Sequence, residues 1–161
     1  VFVLCHKYWG GEVPKRTTLE KLDIEIIEKI QSAKVVVGEN IEQYKFRLAI
    51  QSFMDLARAG NKYLADTEPW KLFKQDGQNP RIKTILNISV HLIATLGVLC
   101  DPFMPFTSIK IMKMLAIDCC KWNDAGNINL ISAGHLLNKY YLLFKKIEDD
   151  AIDIQMLKLK A

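Results

Sequence analysis

What this sequence lacks narrows its chemistry first. Its four cysteines, Cys5, Cys100, Cys119 and Cys120, include no pair with the two-residue gap of a zinc knuckle, and a vicinal pair cannot close an ordinary loop. The histidines His6, His91 and His135 lie far apart in the chain. This pattern argues against a disulfide scaffold and a structural metal, and it reads as free thiols in a reducing, cytoplasmic compartment. There is no glycine-rich phosphate loop, no nucleophile elbow and no helix with metal-spaced histidines, so no catalytic set is expected. No internal repeat or low-complexity tract is present, and no stretch alternates polar and apolar residues for long enough to form a sheet.

No secretory leader is expected from these residues. The apolar opening before His6 is too short for one, and residues 1–8 read as the cut end of a helix in a chain that does not begin with methionine. The most apolar run, residues 84–100, is short for a membrane span and carries Asn87, Ser89, His91 and Thr95. It predicts a buried core helix, with His91 hydrogen-bonded inside it, and no membrane partner.

What is present is enough for one domain with a sizeable core: 161 residues, 50% of them hydrophobic. The net charge of +4 permits an anionic partner without requiring one. Gly10, Gly11 and Pro14 mark a loop after the first helix. The next segment has a threonine N-cap signal, early acids and apolar positions Leu22, Ile26, Ile27 and Ile30 at helical spacing, and Gly38 ends or bends it. Residues 39–69 form the longest periodic stretch, stopped by Pro69. A short basic link over residues 70–81 follows, and Asn79 and Pro80 then cap the apolar helix. Prolines in "DPFMPF" break the chain, Thr107 or Ser108 caps another helix, and a last one starts near Ile147. The expected fold is an all-α bundle of about five main helices over residues 1–146, with a C-terminal helix at 147–161 packing on it or leaving it.

Most of the conspicuous residues have plain explanations. "EDDAID" suits a solvated first helical turn, His135 a turn or cap, and "FMPF" and "MKML" core packing. "CCKW" reads as one buried thiol and one incidental. The segment "GNKYLADTEPW", residues 60–70, is different. Trp70, just after a helix-terminating proline, can project from a fixed backbone. Lys71, Lys74, Arg81 and Lys83 follow it, with Asp76 the only acid over residues 70–83. His6, Lys7, Tyr8 and Trp9 precede the first loop, and Lys15 and Arg16 lie beyond it. Aromatic faces interleaved with cations suit unstacked bases and phosphates, while packing aromatics and solvated charges would look the same from composition.

The order of these motifs resembles the anticodon-binding domain of methionyl-tRNA synthetases. Asn61, Tyr63, Glu68, Pro69 and Trp70 are similar to that family's Asn-x-Tyr helix end leading to an acidic turn and Pro-Trp. "VLCHKYWGGEVP", "LCDPFMPFTSIKIMKML" and "WNDAGNINLISAGHLLNKYYLLFKKIED" resemble, in order, its preceding helix and loop, its proline-rich helix break and its closing segment. Related class I synthetases share the bundle but match this series less well. The resemblance implies a reader of the CAU anticodon of methionine tRNA, in a chain whose own catalytic domain stands elsewhere. ATP, magnesium and zinc would belong to the other domains, and none to this one.

The same resemblance implies that Trp70 stacks on the first anticodon base. The family's base-reading asparagine and arginine, four residues apart on one helix face, fall here at Val3 and Lys7, a departure that leaves His6 and backbone groups to share the work. Asn61 and Tyr63 either line the anticodon pocket or close the helix end that presents Trp70. Lys15, Arg16, Lys71 and Lys74 are phosphate-contact candidates, with solvated charge as the alternative. Two other readings stand beside this one: a non-catalytic α-helical protein-interaction domain, and a thiol enzyme using Cys119 or Cys120.

Overall fold

The computed structural model describes residues 1–77, 79–118, 121–144, 147 and 149–159; Cys119 and Cys120 lie outside them. Among the described residues the chain is all α, with helices α1 (Phe2–Trp9), α2 (Lys21–Glu42), α3 (Phe46–Thr67), α4 (Pro69–Gln75), α5 (Pro80–Leu99), α6 (Pro105–Leu115) and α7 (Asp149–Leu159). A single 3-10 turn covers Trp122–Asp124, and one isolated antiparallel bridge pairs Glu12 with Leu136.

α5 is the axis of the bundle. Ile82, Ile85, Leu86, Val90 and Leu99 are fully buried, and burying each such side chain contributes roughly 1.5–3 kcal/mol. α1, α2, α3, α4 and α6 all pack against it, and α2 and α3 form a long antiparallel pair. By length and composition α5 could cross a membrane, yet most of it is enclosed by the other helices. Its polar residues are used internally. His91 donates from Nδ1 to the Asn87 carbonyl at 2.8 Å and accepts at Nε2 from the Ile131 amide at 3.3 Å. Both ring nitrogens are thereby engaged by one neutral tautomer.

Helix boundaries differ from expectation at several points. α2 is capped by Glu20 and Asp23 rather than by a threonine, because the Asp23 carboxylate accepts the Glu20 amide at 2.8 Å. Thr17 is committed elsewhere, to the Thr84 hydroxyl and the Pro80 carbonyl on α5. Gly38 does not end α2, which runs on to Glu42; a β-carbon there would lie 3.4 Å from the Trp122 ring, so it allows close packing. The 39–69 stretch is not one helix. It breaks at Gln43–Lys45, where Tyr44 takes a left-handed φ of 58° and the Lys45 amide reaches back to the Asn40 carbonyl. Glycine or asparagine is the usual signal for such a cap, and tyrosine gives none. Thr107 and Ser108 are not caps either: α6 starts at Pro105, one turn earlier, with both amides on the Met104 carbonyl. α7 begins at Asp149, with Asp149 and Asp150 in its first turn.

The loop after α1 is pinned from two sides. Asn87 donates to the Pro14 carbonyl at 2.8 Å, and the Val13 and Gly11 backbones pair with Gly134, His135 and Leu137 of the returning C-terminal segment. His135 donates from Nε2 to the Leu115 carbonyl at 2.7 Å, closing the end of α6.

Two measurements probe this packing. Gly126 has φ +86°, and a β-carbon there would meet the α2 backbone at Gln31 and Ile30 at 3.1–3.2 Å. Gly126→Ala is expected to lower unfolding stability by about 1–3 kcal/mol in urea titrations. Burial holds the His91 pKa below its ordinary value. The unfolded chain therefore takes up a proton below about pH 6.5 that the native state refuses. Stability should be full above that pH and fall as the solution is acidified through it, and His91→Phe should flatten this part of the stability–pH curve.

Candidate functional site

The segment around Trp70 is built on a helix–corner–helix arrangement. α3 ends at Thr67, whose hydroxyl donates to the Tyr63 carbonyl at 2.7 Å. Glu68 adopts a left-handed φ of 41°, ending α3 and starting α4. Its amide bonds to the Leu64 carbonyl, and its own carbonyl accepts the Lys71 and Leu72 amides. Pro69 is thus a first-turn residue as well as a terminator, because its fixed φ and missing N–H suit the start of a helix. The expected basic link after Trp70 is in fact this short helix, residues 69–75.

Trp70 is the second residue of α4 and is 39% exposed. One turn later, Phe73 stacks on Tyr8 of α1 with ring centroids 3.6 Å apart and planes within 9°, and its edge meets Trp9 at 6.4 Å. The two aromatic segments, far apart in sequence, therefore meet through Phe73. Val3 and Lys7 lie one turn apart on α1 and are both exposed, with the Lys7 ammonium 6.0 Å from the Tyr8 ring. His6 is half-buried: it donates from Nδ1 to the Phe2 carbonyl at 3.0 Å and meets Tyr140 edge-on.

The other candidates divide. Lys15 and Lys74 are exposed. Lys71 pairs with Glu68 at 2.8 Å. Arg16 is tied down, donating to the Ile128 carbonyl at 3.2 Å and the Asn129 side chain at 2.8 Å. Asn61 faces solvent, whereas Tyr63 is 5% exposed and its hydroxyl donates to Asp23 at 2.5 Å. Of the two roles open to Tyr63, the geometry fits the one that closes and supports the helix end.

Asp23 is the residue that sequence reasoning missed. It is fully buried and binds partners with both oxygens. Oδ1 accepts from Tyr63 and from Arg81 Nη2 at 2.9 Å; Oδ2 accepts from Arg81 Nη1 at 2.5 Å and from the Glu20 amide. Arg81 also reaches Glu20, Nε to Oε1, at 3.2 Å. Burial opposes ionisation of Asp23, but Arg81, the Glu20 amide and Tyr63 outweigh it and hold the carboxyl below its usual range. Burial, with the adjacent Asp23, pushes the Tyr63 phenol far above its ordinary value, so it stays a donor. Tyr63 precedes the Trp70 corner and Arg81 follows it, and both end on one carboxylate.

Among the described residues no three His, Cys, Asp or Glu side chains converge on a metal position. Burial raises the Cys5 and Cys100 thiols to about 11, well away from a reactive thiolate.

The corner thus carries an exposed ring at the start of a short helix. Comparison with known proteins shows the family: a model described as the anticodon binding domain of methionyl tRNA ligase matches residues 13–159. The chain belongs to this family. A methionine–tRNA ligase of Cytophaga hutchinsonii is 46% identical over 158 residues, covering 98% of this chain and 23% of the relative. One from Phocaeicola vulgatus is 46% identical over 159 residues, covering 99% and 23%. The chain thus spans under a quarter of the length of these relatives. Among solved structures, the free methionyl-tRNA synthetase of Mycobacterium tuberculosis superposes with a TM-score of 0.80 at 19% identity, covering 90% of this chain and 30% of that one, which establishes a shared fold.

Within this family fold, the buried Asp23 should be costly to remove. Asp23→Ala strands Arg81 and Tyr63 without their acceptor and is expected to destabilise the bundle by about 3–5 kcal/mol in denaturant titrations.

Proposed function

We propose that this chain reads the CAU anticodon of methionine tRNA, as the anticodon-binding part of a methionine–tRNA ligase. Methionine activation, with ATP, magnesium and zinc, is assigned to the remaining length that its relatives possess, and the chain works beside that catalytic domain. The observation that carries the reading is Trp70: an exposed indole at the start of a proline-initiated helix, one turn before Phe73, which stacks on Tyr8.

Stacking suits the first anticodon base, since a rigid indole loses little entropy and every base has a face to offer. It discriminates bases poorly, so edge contacts must supply selectivity. Lys7, His6 and Asn61 are assigned to that role, with Tyr63 supporting from beneath. Lys7 brings charge but lacks the planar fork that arginine would offer a base edge. Lys15, Lys71 and Lys74 are assigned to phosphates. Lys71 would exchange its Glu68 partner for a phosphate oxygen, and Arg16 would act chiefly by holding the 128–129 turn.

Fluorescence anisotropy with a CAU anticodon stem-loop, at low and moderate salt, tests this. Binding should weaken as salt rises, because phosphate contacts release counterions. A loop with its first anticodon base changed should bind less tightly. Trp70→Ala should cost about 1–3 kcal/mol of binding without unfolding the bundle. Salt-insensitive binding to a protein partner would favour an apolar interaction domain instead, and a Trp70→Ala variant that melts would end the stacking assignment.

A further inference from the structure

The corner that carries Trp70 is held at both ends by one buried group. Tyr63 lies one turn before the end of α3, and Arg81 lies in the first turn of α5; the chain between them contains the left-handed Glu68, all of α4 and Trp70. Both side chains terminate on Asp23, and Asp23 itself is fixed in the first turn of α2 by the Glu20 amide. The Arg81 amide is in turn held by the Asn79 side chain at 2.9 Å. A third attachment, Phe73 on Tyr8, orients α4 against α1.

We infer that Asp23, Tyr63 and Arg81 are positioning residues for base recognition: the cluster sets the angle and rigidity with which the α3–α4 corner presents Trp70. This rests on the anticodon-reading function proposed above. A buried ion pair is a poor choice if stability alone is wanted, because apolar packing of the same volume often does as well or better. What it supplies is direction. A two-pronged guanidinium–carboxylate contact and a short phenol bond each tolerate only small displacements, so α2, α3 and α5 are locked in register at the base of the corner. Glu68 holds an unfavourable left-handed backbone for a residue with a side chain, a strain that persists only where the surroundings over-determine it.

The test uses the chain labelled with fluorotryptophan, in which Trp9, Trp70 and Trp122 give separate fluorine NMR lines and the Trp70 line is identified by its loss in Trp70→Phe. Arg81→Lys keeps the charge but loses the fork, and Tyr63→Phe removes one hydroxyl. Circular dichroism confirms folding, and Tyr63→Phe keeps the test available if Arg81→Lys does not fold. In the folded variants the Trp70 line should shift or broaden while that of Trp122 stays. Affinity for the CAU stem-loop should fall about fivefold or more, as expected for a partly lost stack, and the preference over a loop with the first base changed should narrow. An unchanged Trp70 line overturns the inference. So does a displaced line with the preference intact. A wild-type chain without CAU preference, or a Trp70→Ala variant that retains it, is a different failure: the anticodon reading itself falls, and the inference with it.

Discussion

The constraint on which the rest of this structure depends is a carboxylate placed where water cannot reach it. Asp23 sits on the apolar side of α2, and an ion there must find its full complement of hydrogen bonds inside the protein. It takes them from a tyrosine on α3, an arginine on α5 and the backbone at its own helix start. Three helices contributed by distant parts of the sequence thereby share one reference point. Because hydrogen bonds to an ion are directional, that point fixes register in a way the surrounding isoleucines and leucines do not.

From this anchor the α3–α4 corner follows by short steps. The end of α3 is held by Tyr63, so its reversal at Glu68 occurs at a defined place, and Pro69 starts α4 immediately. α4 is too short to be stable by its own backbone hydrogen bonds. It is held by packing on α5 and by the Phe73–Tyr8 stack. The loop after α1 is pinned to α5 through Asn87 and Thr84 and to the C-terminal segment through backbone bonds. α1 and α4, both short, are therefore presented by long, well-buried helices, and the flexible-looking aromatic segments of the sequence have little freedom in the fold. That arrangement suits recognition by stacking, where a ring already held in position loses little further freedom on binding.

Much of this was legible without coordinates. The helical period of α2, the apolar run of α5, its Asn79–Pro80 start and the buried His91 all rest on local rules. The missed break between α2 and α3 has a plain cause: Tyr44 is a non-glycine residue in a left-handed conformation, and a residue type that offers no local signal cannot announce a helix end. Asp23 did leave a trace: it falls on the same stripe as Ile26, Ile27 and Ile30, an acid at a core position. Its presence near a helix N-terminus supplied a sufficient local explanation and hid the tertiary one.

By itself, then, the sequence determined the class of fold, the axial helix, the family resemblance and the identity of Trp70 as the residue to watch, because periodicity and proline chemistry act over a few residues at a time and motif order is read along the chain without reference to contacts. Only the tertiary structure decided that Tyr63 and Arg81 share Asp23, that Phe73 joins α4 to Tyr8, and that Arg16 is bound to the 128–129 turn while Lys7, Lys15 and Lys74 are exposed. These depend on where distant segments come to lie together, and a buried ion, a stacked ring or a satisfied guanidinium acquires its meaning from the partner that the fold brings to it.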